Sequence, residues 1–203
     1  MKIRNILWDA DGALFNTYPA ITFSLSKVLT NRELSVPLNV IDRLVRLSID
    51  HCLETLSQRF KLELNLLRLQ FADAHRTVSP SRQPPFPGAY NICEFISKYG
   101  GANIAFTKYE QESTQLLLDA HELSTFFLGV INAKQRYPGM IEAALARYCL
   151  EPNETLLIGE QALDIQAGQI AGVRTCLFGE QKTATKVDMH ITRYSELFQY
   201  LNK

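Results

Sequence analysis

This sequence of 203 residues has no excess of charge of either sign. Lys and Arg together number 21, as do Asp and Glu, so the formal net charge at pH 7 is zero. Proteins that bind the phosphate backbone of nucleic acids usually carry a basic excess or a basic stripe. The sequence shows neither feature, so we expect no nucleic-acid partner.

Long apolar segments are also missing from the sequence. No stretch approaches the roughly 20 apolar residues that a membrane-spanning helix needs. The first residues, from Met1 to Asp9, contain no apolar segment of the length found in secretion signals. We therefore expect no membrane partner and predict a cytoplasmic location.

Cysteine and histidine are few and scattered. The four cysteines form no Cys-x-x-Cys pair and have apolar neighbours, which favours small buried thiols in a reducing compartment. No histidine has a second His or Cys at the spacing of metal ligands, so we expect no zinc site. A nucleotide-binding dehydrogenase is disfavoured too, because no G-x-G-x-x-G follows a predicted strand. The cysteines are Cys52, Cys93, Cys149 and Cys176.

The sequence does contain short apolar runs that alternate with segments of helical periodicity. Such an alternation predicts an α/β fold, with a Rossmann-like, doubly wound parallel sheet as its core and helices on both faces. The predicted strands are 3–8, 102–106, 127–131, 155–158 and 174–178.

Two of the intervening segments place apolar residues on one face of a predicted helix. The residues of the first face are Ile141, Ala144, Leu145 and Tyr148. Those of the second are Leu163, Ala167 and Ile170. We expect both faces to pack against the sheet.

Residues 17–79 interrupt this alternation and contain no convincing strand. A proline-rich stretch, 79–88, follows and predicts a stiff connection, because proline fixes φ and cannot continue a helix. We expect 17–79 to form a small α-helical cap domain inserted into a core of 1–16 and 80–203. The predicted cap helices are 20–31, 38–47, 50–60 and 65–76.

Polar residues follow the predicted strands, at the end where parallel α/β sheets bind ligands. They are Asp9, Asp11 and Gly12 after the first, Thr107 and Lys108 after the second, Lys134, Gln135 and Arg136 after the third, and Glu160 and Asp164 after the fourth. Several carboxylates at one edge would repel one another unless a cation bound them, and oxygen ligands favour Mg²⁺. One carboxylate at such a site can attack a phosphoryl group, and a second can transfer protons.

These residues resemble the motifs of the haloacid dehalogenase-like (HAD) hydrolase superfamily, in order and over nearly the whole chain. Residues 6–14 resemble its first motif, an apolar strand followed by DxDGT, and 105–107 resemble its second. Residues 157–164 resemble its fourth motif, with Glu160 at a position that is usually Asp. The resemblance is closest to the small capped phosphatases of the phosphoglycolate phosphatase and β-phosphoglucomutase type.

The resemblance implies an activity and a role for each residue. The implied reaction is Mg²⁺-dependent hydrolysis of a small phosphorylated metabolite through an aspartyl phosphate. Asp9 would be the nucleophile, Asp11 the general acid and base, and Thr107 a ligand of the phosphoryl group. The implied metal ligands are Asp9, Asp11, Glu160 and Asp164, and the implied substrate contacts are Gly12, Thr107, Lys108 and Arg136.

The third motif departs from the family, which places a lysine shortly before the following helix. Alignment on Pro138 puts Gln135 at that lysine, and glutamine carries no charge. Loss of one such electrostatic contact costs on the order of 10²–10³ in rate. Lys134 and Arg136 flank the position and are candidates to supply the charge. The alternative prediction is therefore a catalytically impaired relative with a binding or regulatory role.

A dehalogenase and a phosphomutase are the other activities considered within the same superfamily. Dehalogenase chemistry needs no metal and lacks the second aspartate, so Asp11 disfavours it. The predicted cap contains no residue that requires a phosphomutase.

Overall fold

The computed structural model describes residues 3–108, 110–132, 138–181 and 183–201. The chain divides into two compact units. The core unit joins the residues up to Asn16 with those from Pro85 onward, and the helical unit is Thr17–Pro84.

The helical unit is built from α-helices at positions where the sequence predicts them. They are α1 (Tyr18–Thr30), α2 (Leu38–Leu47), α3 (Ile49–Phe60) and α4 (Leu64–Arg76). Helix α1 packs against α2 and α4, and α3 packs against the same two helices. Every predicted helix of this region is confirmed, with its ends within two residues of the predicted ones. The largest fully buried side chains of the unit are Ile21, Leu25, Leu29, Ile41, Leu56 and Leu67.

The core unit contains a six-stranded sheet in which every pair of neighbouring strands is parallel. The strands are β1 (Asn5–Asp9), β2 (Asn103–Thr107), β3 (Phe127–Asn132), β4 (Thr155–Gly159), β5 (Arg174–Phe178) and β6 (Met189–Ile191). They lie in the order β3-β2-β1-β4-β5-β6. The predicted α/β fold and its parallel sheet are therefore confirmed. The sequence did not indicate β6, because three residues are too few to show a strand period.

Helices and two apolar clusters cover the two faces of the sheet. The helices are α5 (Ala89–Lys98), α6 (Gln111–Ala120), α7 (Pro138–Arg147), α8 (Ala162–Ile170) and α9 (Phe198–Leu201). Because side chains alternate along a strand, Ile6 and Trp8 join the cluster that contains residues of α5 and α6. Leu7 joins the cluster on the other face, with residues of α7 and α8.

Helical periodicity predicted the buried face of α7 correctly. Ile141, Ala144 and Leu145 are buried there, and Tyr148 packs against the same cluster. The pattern worked because the side chains that meet the sheet are the large apolar ones.

The prediction for α8 is wrong. Leu163 and Ile170 are 62% and 66% exposed, and only Ala167 of the predicted face is buried. The helix instead lies close to the sheet through Gly168, where an added Cβ would come within 2.8 Å of Thr175. Small residues make this contact, and a period of large apolar residues cannot identify them.

Three of the four cysteines are buried as predicted, and all four are free thiols. Burial raises the pKa of Cys52 to about 11 and is the main cause that raises that of Cys176 to about 12. The prediction is wrong for Cys149, which is exposed. This residue has a φ of 51° shortly after α7, where the chain turns away from the helix.

Within the described part of the chain, no helix combines the length and the apolar character that crossing a membrane requires.

Candidate active site

The register of the sheet brings the ends of β1, β2 and β4 to one edge. Asp9 pairs with Phe106, so Thr107 lies one residue beyond that pair. Trp8 pairs with Ile158, so Glu160 lies two residues beyond that one. The chain adds β2 and β3 on one side of β1 and then β4 on the other. Open α/β sheets bind ligands at such a topological switch point.

The loop after β1 folds back on itself and fixes the backbone of the first motif. The N–H of Leu14 donates to the carbonyl of Asp9 at 2.9 Å, and the N–H of Phe15 donates to that of Ala10 at 2.9 Å. Gly12 has a φ of 96°, in the left-handed region that glycine adopts without steric cost. We call residues 9–15 the nucleophile loop, after the role that the resemblance implies for Asp9.

Thr107 contacts the nucleophile loop directly. Its hydroxyl donates to Oδ2 of Asp11 at 3.1 Å, which joins the ends of β1 and β2. Asp9, the last residue of β1, is 5% exposed. The structure therefore brings a buried carboxyl group, a second carboxyl group and a hydroxyl group to the same end of two adjacent strands.

Glu160 reaches the nucleophile loop from β4. A Cβ built on Gly12 would lie 2.4 Å from both Cδ and Oε2 of Glu160, so the carboxylate occupies the space that a side chain would need. Glu160 is 6% exposed. The glycine thus allows the longer acid at this position to lie against the loop.

Asp164 is fixed at the start of α8. Its Oδ2 accepts a hydrogen bond from the N–H of Gln161 at 2.9 Å, and the Gln161 side chain accepts one in return from the first turn. This is a capping box, which satisfies two backbone donors of a helix N-terminus. The cap also fixes the chain directly after Glu160, so Asp164 orients that segment.

For the remaining predicted site residues the structure gives less information. Lys108 directly follows β2 and is exposed. Lys134, Gln135 and Arg136 lie outside the described residues. The substitution of the third-motif lysine is therefore known from the sequence alone.

The acidic side chains at this edge offer only oxygen donors, the ligand type that a hard cation prefers. Among the described residues, no group of three or more His, Cys, Asp or Glu side chains is arranged to hold a metal ion. Magnesium in proteins is commonly held by only one or two carboxylates together with other oxygen ligands and water. The buried carboxyl groups of Asp9 and Glu160 are chemically suited to such a site. The part of Asp164 as a ligand stays a prediction.

Sequence reasoning missed Tyr194, a fully buried residue at the base of the site. Its hydroxyl donates to the carbonyl oxygen of Ala13 at 2.8 Å, across 181 residues of sequence. Burial, the thiols of Cys176 and Cys93, and then the carboxylates of Asp9 and Glu160 raise its pKa well above the usual value. No motif or periodicity surrounds this tyrosine, so only the fold reveals it.

Comparisons with known proteins show what the chain is similar to. A family model described as haloacid dehalogenase-like hydrolase matches residues 6–178. Phosphoglycolate phosphatase of Aquifex aeolicus is 26% identical over 214 residues, which cover 98% of this chain and 97% of that protein. Pyrophosphatase PpaX of Anoxybacillus flavithermus is 27% identical over 225 residues, which cover 99% and 98% respectively.

The solved structures share the fold. The crystal structure of a predicted phosphoglycolate phosphatase from Haemophilus somnus matches with a TM-score of 0.82 and 15% identity, and the match covers 98% of each chain.

Proposed function

The chain belongs to the haloacid dehalogenase-like hydrolase family, and from this premise we propose that it is a Mg²⁺-dependent phosphatase. Its substrate is the phosphoric monoester of a small metabolite, and the reaction passes through an aspartyl phosphate. The observation that carries the proposal is the meeting of Asp11, Thr107 and Glu160 at the nucleophile loop. The names of the two relatives, a phosphatase and a pyrophosphatase, support phosphoryl transfer as the class of reaction.

Asp9 is the nucleophile in this proposal. One of its carboxylate oxygens attacks phosphorus, and the bond between phosphorus and the leaving oxygen breaks. Asp11 gives a proton to the leaving oxygen and later takes a proton from the water that hydrolyses the aspartyl phosphate. Before substrate binds, the Thr107 hydroxyl donates to Asp11 and orients its carboxyl group. When substrate is bound, we assign the single proton of that hydroxyl to a phosphoryl oxygen instead.

Four residues would hold the metal: Asp9, Glu160 and Asp164 through their carboxylates, and Asp11 through its main-chain carbonyl. When bound, Mg²⁺ offsets the negative charge of the phosphoryl group and of the carboxylates around it. Asp164 keeps Glu160 in place through the capping box at the start of α8.

The helical unit is assigned the part of a cap that selects the substrate and excludes water from the reaction. Gly12, Lys108 and Arg136 are assigned contacts with the substrate. The cytoplasmic location stays part of the proposal.

Hydrolysis of p-nitrophenyl phosphate and of a panel of small phosphorylated metabolites tests the proposal. We expect turnover with Mg²⁺, none with a chelator, and none in Asp9→Asn, which lacks the nucleophile. Asp119→Asn is the matched control, because it makes the same change at an exposed residue at the end of α6. Retained turnover in Asp9→Asn would remove that residue from the reaction. A wild-type protein that hydrolyses nothing in the panel would favour the impaired relative that Gln135 suggests.

A further inference from the structure

A side chain from the C-terminal part of the chain also bonds to the nucleophile loop. Tyr194 donates from its hydroxyl to the carbonyl oxygen of Ala13, two residues after Asp11. Within the loop, the carbonyls of Asp9 and Ala10 accept bonds from the loop's own N–H groups. Ala13 instead receives its donor from the C-terminal segment of the core unit.

Packing from three directions holds the tyrosine in place. Its ring stacks on that of Phe178, the last residue of β5, with centroids 4.6 Å apart and planes 7° apart. Trp8 of β1 contacts it at a tilt, with centroids 5.4 Å apart. On a third side, a Cβ added to Gly88 would come within 3.1 Å of its Cβ. The hydroxyl therefore has little freedom to leave the Ala13 carbonyl.

The hydrogen bond from Tyr194 to the Ala13 carbonyl is of a kind that persists in the folded protein. A buried carbonyl that loses its hydrogen-bond donor cannot bond to water instead, so the loss destabilises the folded protein. Burial is the first cause that keeps the pKa of the hydroxyl well above its usual value, so the group stays a donor. Gly12 lies next to Ala13 at a φ of 96°. A displacement of the Ala13 carbonyl would therefore also move Gly12, because the backbone of a glycine changes conformation more easily than that of other residues.

We propose that Tyr194 is a positioning residue, which holds the Ala13 carbonyl so that Asp9 and Asp11 keep the arrangement that the reaction needs. The inference rests on the proposed phosphatase function for its kinetic consequence, but its structural part stands independently of that function.

The test compares Tyr194→Phe with Tyr200→Phe. The first variant removes the hydroxyl and keeps the ring, while the second makes the same change at a partly exposed residue of α9. We expect kcat of Tyr194→Phe to fall about tenfold, the effect of one lost hydrogen bond, with KM within about twofold of the wild type. Tyr200→Phe should match the wild type. Equal kcat values in the two variants would overturn the proposal.

Amide hydrogen exchange supplies a readout that does not depend on activity. In Tyr194→Phe we expect faster exchange at the amides of Gly12, Leu14 and Phe15, with unchanged exchange in β2. Faster exchange across the whole sheet would show a general loss of stability and would contradict a positioning role, as would unchanged exchange in the loop. If the wild type proves inactive, the proposed function fails, and the exchange experiment alone decides whether Tyr194 anchors the loop.

Discussion

The two edges of the sheet both bury polar side chains but use different chemical groups. Near the strand starts, Asn103 is buried and its side-chain amide is hydrogen-bonded at both ends. Its Oδ1 accepts a hydrogen bond from Nε1 of Trp8 at 3.0 Å. Its Nδ2 donates to the carbonyls of Cys93 and Phe126, at 3.0 and 3.1 Å. Asn5 behaves in the same way, because its Oδ1 accepts from the N–H of Ala102 at 3.1 Å. All these groups are neutral.

Acids take the corresponding place at the strand ends. Asp9, Glu160 and Asp164 are buried there, and the adjacent loop contains a glycine in a left-handed conformation. Like charges in a buried site repel one another and destabilise the fold unless a cation offsets them. If the proposed function is correct, the amino edge serves stability and the carboxyl edge serves chemistry. Substitutions at the two edges should therefore have opposite consequences.

Among variants that keep both Asp9 and Asp11, the largest effect on activity is expected for Gly12→Ala. The new Cβ would lie 2.4 Å from the Glu160 carboxylate, so either the loop or the acid must move. We expect turnover of p-nitrophenyl phosphate to fall by about 10² or more, the scale of a lost electrostatic contact. The matched control is Gly100→Ala, because Gly100 has a φ of 72° and nothing within 4 Å of an added Cβ. Similar losses in both variants would assign the effect to backbone strain.

Asn103→Leu should have the opposite consequence, with lost stability and unchanged chemistry. The substitution leaves the indole N–H of Trp8 and the carbonyls of Cys93 and Phe126 without their present partners. We expect the free energy of unfolding in urea to fall by about 3 kcal/mol, with kcat of the folded protein unchanged. Asn91→Leu, at an exposed position of α5, is the control and should change stability by less than about 0.5 kcal/mol. A loss of kcat in Asn103→Leu would contradict the idea that the amino edge affects stability alone.

A smaller effect is expected for Glu160→Gln. The amide keeps the shape of the side chain but removes one of the charges at the carboxyl edge. We expect the Mg²⁺ concentration for half-maximal activity to rise about tenfold, as for weakened metal sites in general. The free energy of unfolding should not fall, because the variant removes a buried charge. An unchanged Mg²⁺ requirement would exclude Glu160 as a ligand.

Local patterns in the sequence predicted most of the fold. Helices of the helical unit and five strands follow from periodicity and proline, which depend on neighbouring residues. The acids at the strand ends could be found because a parallel sheet converts separate strand ends into one edge. The packing of α8 through Gly168 could not be found, since the contact is defined by the absence of a side chain.

Long-range contacts account for what the sequence did not reveal about the site. Tyr194 and Ala13 are separated by 181 residues, and no spacing rule connects them. The accommodation of Glu160 by Gly12 is also a property of the folded chain. The sequence indicates the residues that carry the chemistry, whereas the residues that position them are identified by three-dimensional contacts.

The most direct test of the account is to identify the residue that receives the phosphoryl group. In Asp11→Asn the base for the second step is missing, while p-nitrophenolate leaves p-nitrophenyl phosphate without needing a proton. The covalent intermediate should therefore accumulate after acid quenching, and peptide mass spectrometry should locate the added phosphoryl group on Asp9. A phosphoryl group on any other side chain, or continued turnover without a covalent intermediate, would contradict the account.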